Sequence, residues 1–310
     1  MPSQKALIII TIAAFVAGVA FEIAIWPEDR GNHMYDSEVL RVISLSPAIT
    51  EIVFAIGEGG RVVGVSDWTK FPPEAAALPN CGGVANTNYE LISKLKPDLV
   101  IIQGESADMK RRFGEMGIKY LGVTLDKIGD IGVAAFEIAD ALGVKEKGEI
   151  LKNHIASECK RISGIAKNLP ITKVLLVTWR DAGRLSNICT MGPGGFLDEA
   201  VAICGGENIF RDSPVLYTTA PQEKICTRAP DVIIEMRSGE KLSDAEIEKV
   251  KNEWNDMPSL PAVQNGRIFV VTDDYATIPG PRIADLLKLL ASIIHPEADW
   301  SAANGTGSGR

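Results

Sequence analysis

Aromatic and acidic side chains gather in this chain where apolar runs give out. Trp68 follows Val62–Val65, Trp179 and Arg180 follow Val174–Val177, and Asp274 and Tyr275, after Asp273, follow Ile268–Val271. Tyr217 stands in a loop ahead of the helical stretch that carries Glu223. Rigid ring faces of this kind bind large, flat or amphipathic molecules with little loss of side-chain freedom. Trp68, Trp179, Arg180, Tyr217, Asp274 and Tyr275 are therefore the expected ligand contacts. Two glutamates form a second constellation. Glu90 and Glu223 each lie on a short helical stretch just before a Pro-Asp pair. Equivalent places on two halves would make them separated anionic knobs, suited to two arginine-bearing sites on a two-fold partner.

Reaction chemistry has no such footing. The chain contains no Gly-x-x-x-x-Gly-Lys-Ser/Thr, no His-Glu-x-x-His, no Gly-x-Ser-x-Gly, and no Gly-x-Gly-x-x-Gly after a strand. Gly192-Pro193-Gly194-Gly195 precedes a helix but has no lysine or acid beside it, so it reads as a turn of close approach. The histidines, His33, His154 and His295, lie far apart, and the five cysteines include no Cys-x-x-Cys pair. No catalytic residue, resident cofactor or metal site is expected. Lys plus Arg is 32 against Asp plus Glu 40, a net charge of −8 that argues against nucleic acid as a partner.

The elements that must hold these residues alternate. Short β-branched runs at Val42–Leu45, Val62–Val65, Asp98–Ile102 and Lys119–Val123 are separated by helical patterns over Tyr89–Leu95 and Ala107–Met116. A second series runs through Val174–Val177, a helix over Phe196–Cys204, Val232–Ile234 and Ile268–Val271. Lys96-Pro97-Asp98-Leu99-Val100 in the first series matches Ala229-Pro230-Asp231-Val232-Ile233 in the second. Between them, Val144 to Lys167 lacks proline and carries Ile150, Leu151, Ile155, Cys159, Ile162 and Ile165 at helical spacing. The expected fold is α/β: two Rossmann-like lobes with parallel-type sheets, joined by one long backbone helix and preceded by a hydrophobic segment. The expected divisions are residues 1–26 (signal peptide or membrane anchor), 27–40 (linker), 41–142 (first lobe), 143–169 (backbone helix), 170–296 (second lobe) and 297–310 (disordered tail). Ala6 to Phe21 is uncharged, about 24 Å of helix, which fits an exported chain that is cleaved or stays attached to the membrane.

An ordered set of motifs carries a family resemblance. Arg41-Val42-Ile43-Ser44-Leu45-Ser46-Pro47-Ala48-Ile49-Thr50-Glu51, Val63-Gly64-Val65-Ser66 with Phe71-Pro72-Pro73-Glu74, Leu95-Lys96-Pro97-Asp98-Leu99-Val100, Cys204-Gly205-Gly206-Glu207-Asn208-Ile209-Phe210 and Pro281-Arg282-Ile283 span most of the chain. Together they resemble the helical-backbone class of ABC-transporter substrate-binding proteins, especially its cobalamin binders, with siderophore- and haem-binding relatives. The resemblance implies an extracytoplasmic carrier that hands a small-molecule ligand to an ABC permease dimer with its ATPase subunits. It also implies that Glu90 and Glu223 dock on permease arginines. Trp68 matches an aromatic contact, Tyr217 stands where cobalamin binders have tryptophan, and Asp274 matches an acidic contact, with Tyr275 near another aromatic. The aromatic that cobalamin binders carry before the first Glu helix is replaced by small residues at Val84–Ala85. Corrinoid, ferric siderophore and haem all stay open as ligands. Outside the class, the alternative is a two-lobed doubly wound enzyme.

Overall fold

The computed structural model describes residues 40–301. The expected export segment, nearly all of the linker with His33, and residues 302–310 lie outside the described residues. Among the described residues no helix is long and apolar enough to cross a membrane.

Four strands, β1 (Val42–Ser44), β2 (Val62–Gly64), β3 (Leu99–Gln103) and β4 (Lys119–Val123), form an all-parallel sheet in the order β2-β1-β3-β4. The second half contributes β5 (Thr172–Val177), β6 (Cys189–Met191), β7 (Gly206–Asn208), β8 (Tyr217–Thr219), β9 (Val232–Met236) and β10 (Ile268–Val271). Of these, β10-β9-β5-β7 is a second all-parallel sheet, while β6 and β8 pair antiparallel as a separate ribbon. Continuous apolar runs such as Val232-Ile233-Ile234 mark strands covered by helices on both faces, and β9 is buried along its whole length.

The two halves repeat in atomic detail. Asp98 accepts a hydrogen bond from the Arg41 amide at 2.7 Å, and Asp231 accepts one from the Lys173 amide at 2.9 Å, across 57 and 58 residues of chain. In return the Asp98 and Asp231 amides donate to the Arg41 and Lys173 carbonyls at 2.8 Å. Each Pro-Asp pair thus staples the start of a lobe's first strand to the start of its neighbour. The residue before each proline, Lys96 or Ala229, is left-handed (φ 47° and 48°) and ends a seven-residue helix.

The connecting helix spans Lys145–Ala166, and 22 residues make it about 33 Å long. It buries Gly148, Ile155, Ile162 and Ala166, with Leu151 and Cys159 packed partly against the core. Ile150 is the exception to the expected stripe. It lies one residue off the inward line and is 69% exposed. The helix packs on Ile128–Ala141 from the first lobe and on Phe196–Ile203 and Ile283–Ile294 from the second. One apolar cluster runs through Ile49 and Ile131, Ile155 of the connecting helix, and Val174 and Leu287. Both lobes therefore share a core.

Several elements lie beyond those expected from the periodicity: the helices Ile128–Ala141, Asp244–Glu253 and Ile283–Ile294, strand β7 and the β6–β8 ribbon. At the far end, Trp300 falls within the span read as a tail. It packs partly against the core, and its indole donates to the His295 carbonyl at 3.0 Å.

Candidate ligand-binding trough between the lobes

Parallel sheets place their loops at the carboxyl ends of the strands, and here both sets of loops border one trough. From the first lobe come Ser46-Pro47 after β1, Ser66-Asp67-Trp68 after β2, Gln103-Gly104 after β3 and Thr124-Leu125-Asp126 after β4. From the second come Ser238-Gly239 after β9, the Asp274–Thr277 turn after β10, and Met191 and Tyr217 from the ribbon. Three adjoining cavities of about 250, 580 and 220 Å³ make up the trough, and Pro47 lines all three. Pro47 opens a helix whose preceding residue, Ser46, does not cap it. The Ser46 hydroxyl donates instead to the Gln103 side chain at 3.0 Å, which fixes two lining residues together.

Trp68 is 73% exposed and lines the 580 and 220 Å³ cavities. Tyr217 is 64% exposed and lines the cavity beside the ribbon. The largest cavity is bounded by Gly83, Val84, Ala85 and Asn86. Val84 and Ala85 among them are the small residues noted in place of an aromatic before the first Glu helix, and their size leaves that end of the trough wide.

Asp274 lines the smallest cavity, but its carboxylate is committed: the Arg282 guanidinium donates to it at 2.6 Å. Arg282 also donates to Glu51 at 2.6 and 3.0 Å, and it lies over the Phe71 ring at 4.0 Å and the Tyr275 ring at 5.4 Å. Glu51 and Phe71 belong to the first lobe and Asp274, Tyr275 and Arg282 to the second, so this cluster ties the lobes beneath the trough. Burial opposes the charge on Arg282, but the hydrogen bonds it donates to Glu51 and Asp274 outweigh it and push its pKa up. Arg282 was legible only as part of a motif, not as this bridge.

Three expected contacts are placed elsewhere. Arg180 is fully buried within the second lobe, where it pairs with Glu235 at 2.9 Å and Glu253 at 2.6 Å. It also donates to the carbonyls of Asp181 and Arg184, so it holds a loop and cannot reach a ligand. Trp179 is 56% exposed but lines none of these cavities; its backbone bridges Cys189 at the edge of the ribbon. Tyr275 sits behind the trough wall, partly buried against the core. Burial, then the neighbouring Asp273 carboxylate, push its phenol up to about 12.

Glu90 and Glu223 occupy the same place on matching helices, Tyr89–Leu95 and Gln222–Arg228. Both are exposed, and Glu90 is tethered to Lys94 at 2.6 Å. All five cysteines are free, and among the described residues no group of three His, Cys, Asp or Glu side chains converges as a metal site would need.

A family model described as periplasmic binding protein matches residues 42–275. The vitamin B12-binding protein of Salmonella paratyphi A is 30% identical over 260 residues, 82% of this chain and 90% of that protein. Among solved structures, the periplasmic heme-binding protein RhuT from Roseiflexus sp. RS-1 superposes with a TM-score of 0.70 at 25% identity, covering 84% of this chain and 99% of that one. The vitamin B12-binding protein BtuF of Vibrio cholerae superposes with a TM-score of 0.69 at 24% identity, covering 83% and 96%.

Proposed function

This chain belongs to the periplasmic binding protein family, and from that premise we propose that it captures a corrinoid in the inter-lobe trough, outside the cytoplasm, and delivers it to the permease of an ABC importer. The observation that carries the choice of ligand is the fate of the arginines. Arg180 is sealed against Glu235 and Glu253, Arg282 is consumed by Glu51 and Asp274, and Arg184 lines none of the three cavities. A ferric chelate rich in carboxylates or catecholates needs cations to replace its lost hydration. Among the described residues, Lys70 is the one cation lining the three cavities. The rest are exposed rings, small apolar and neutral polar groups and the acids Asp67, Asp126 and Asp274, a lining that suits a bulky macrocycle fringed with amides better than a polyanionic chelate. Trp68 and Tyr217 would supply ring contacts, and Asp274, held still by Arg282, would accept hydrogen bonds from amide donors.

Haem is the second reading, favoured by one feature. The Tyr217 phenol stands open at the trough, and a tyrosine oxygen is a known axial ligand of haem iron. Titration of the purified protein with cyanocobalamin, haem and ferric siderophores separates the two. Stoichiometric, tight retention of the corrinoid supports the proposal. Retention of haem or a siderophore with no corrinoid binding would overturn it. The bound ligand should be recovered unchanged, since the role proposed is carriage and the family's members are transport proteins.

A further inference from the structure

The trough is electrically lopsided. Its widest cavity is lined by Asp67 and Asp126, while its narrow end, the 220 Å³ cavity, holds Lys70. Asp274 shares that narrow end, where Arg282, divided between it and Glu51, offsets part of its charge and Lys70 stands against the remainder. Lys70 comes from the first lobe and reaches over the second: a Cβ placed on Gly239 would lie 3.1 Å from its ammonium nitrogen. No carboxylate among the described residues pairs with it. Beside Gly239, the Ser238 hydroxyl is shielded from solvent and has no hydrogen-bond partner. A shielded hydroxyl without a partner is costly unless a ligand completes it.

We infer that Lys70 and Ser238 form an anion-receiving subsite at the narrow end of the trough, and that it takes the phosphodiester of a corrinoid bearing a nucleotide loop. The inference rests on the corrinoid reading and adds an orientation to it. The macrocycle itself is fringed with neutral amides, so the phosphodiester is the ligand's fixed anion. Asp67 and Asp126, without ion pairs among the described residues at the wide end, and an ammonium beside an acid already paired at the other would turn that group toward Lys70. The Ser238 hydroxyl would donate to a phosphate oxygen, and the Lys70 ammonium would supply a charge-assisted bond from the opposite lobe. Gly239 leaves the space that lets the lysine head approach.

Affinities for cyanocobalamin and for dicyanocobinamide, which lacks the nucleotide loop, are measured for the parent protein and for Lys70→Met and Ser238→Ala. The parent should prefer cobalamin by about tenfold, the scale of one good charge-assisted contact. Each substitution should lower cobalamin affinity several-fold and leave cobinamide affinity in place, which also reports that the variant is folded. Added salt should shrink the parent's preference, because an ion pair open to solvent is screened. Equal losses for both ligands, or no loss for either, would overturn the subsite. Failure of the parent to bind either corrinoid would sink the corrinoid reading itself, and the subsite with it.

Discussion

Removing the Arg180 guanidinium would strand two carboxylates, Glu235 and Glu253, in a site where Arg237 is left to offset only the first. Breaking a buried pair by deleting one partner costs roughly 3–5 kcal/mol. Arg180→Ala should lower unfolding free energy by that order in denaturant titrations, while the stability change on Arg184→Ala stays within about 0.5 kcal/mol, as for an exposed residue with one long ion contact. Tyr275 supplies a pH test. Its phenol is raised to about 12 from an ordinary value near 10, so the fold favours the protonated ring. That contribution is complete below about pH 10 and is lost as pH climbs through about 12. Ultraviolet titration should show a late-ionising tyrosine that is missing in Tyr275→Phe. At this scale the sequence reveals where contacts cluster better than which side chains make them. Trp68 and Asp274 follow strands and reach the trough. Arg180 follows a strand too, yet its partner Glu235 ends an apolar run that gives no hint of a buried acid.

The helix pair Ile128–Ala141 and Lys145–Ala166 owes its closeness to two glycines. A Cβ on Gly148 would stand 2.6 Å from the Ala135 carbonyl oxygen, and one on Gly132 would stand 3.0 Å from the Lys152 side chain. Alanine is the better helix former by about 1 kcal/mol, but pushing against a backbone carbonyl costs about 1–3 kcal/mol. Gly148→Ala should therefore destabilise, and a rise in midpoint temperature would contradict the close packing. The two seven-residue helices test docking. Glu90→Lys with Glu223→Lys should leave ligand affinity intact and abolish uptake in cells; undiminished uptake would remove these helices from the permease contact. Strands were the most legible elements, because uninterrupted β-branched runs admit few other readings. The Ile128–Ala141 helix hid behind Gly129 and Gly132, which interrupt a helical pattern on paper and serve packing in space. The β6–β8 ribbon joins segments separated by a whole helix, so no local signal announces it.

Three ties hold the lobes as one body: the shared apolar core, the Glu51–Arg282–Asp274 cluster, and Glu199 of the second lobe accepting from the Ile128 amide of the first at 2.9 Å. A hinge would have to break buried pairs and expose core surface together. Small-angle scattering of loaded and empty protein should superimpose, with backbone displacement at the trough of no more than about 1 Å. A closure of several ångströms would refute the rigidity inferred here. The connecting helix and the two-lobe plan could be read from periodicity and the repeated Pro-Asp pairs, but the common core could not, since it is made by side chains far apart in the chain.

A carrier whose lobes share a core in this way would have little change of posture with which to announce that it is full. A permease would then have to sense the cargo itself, lying against Trp68 and Tyr217, and would have to prise the halves apart to take it.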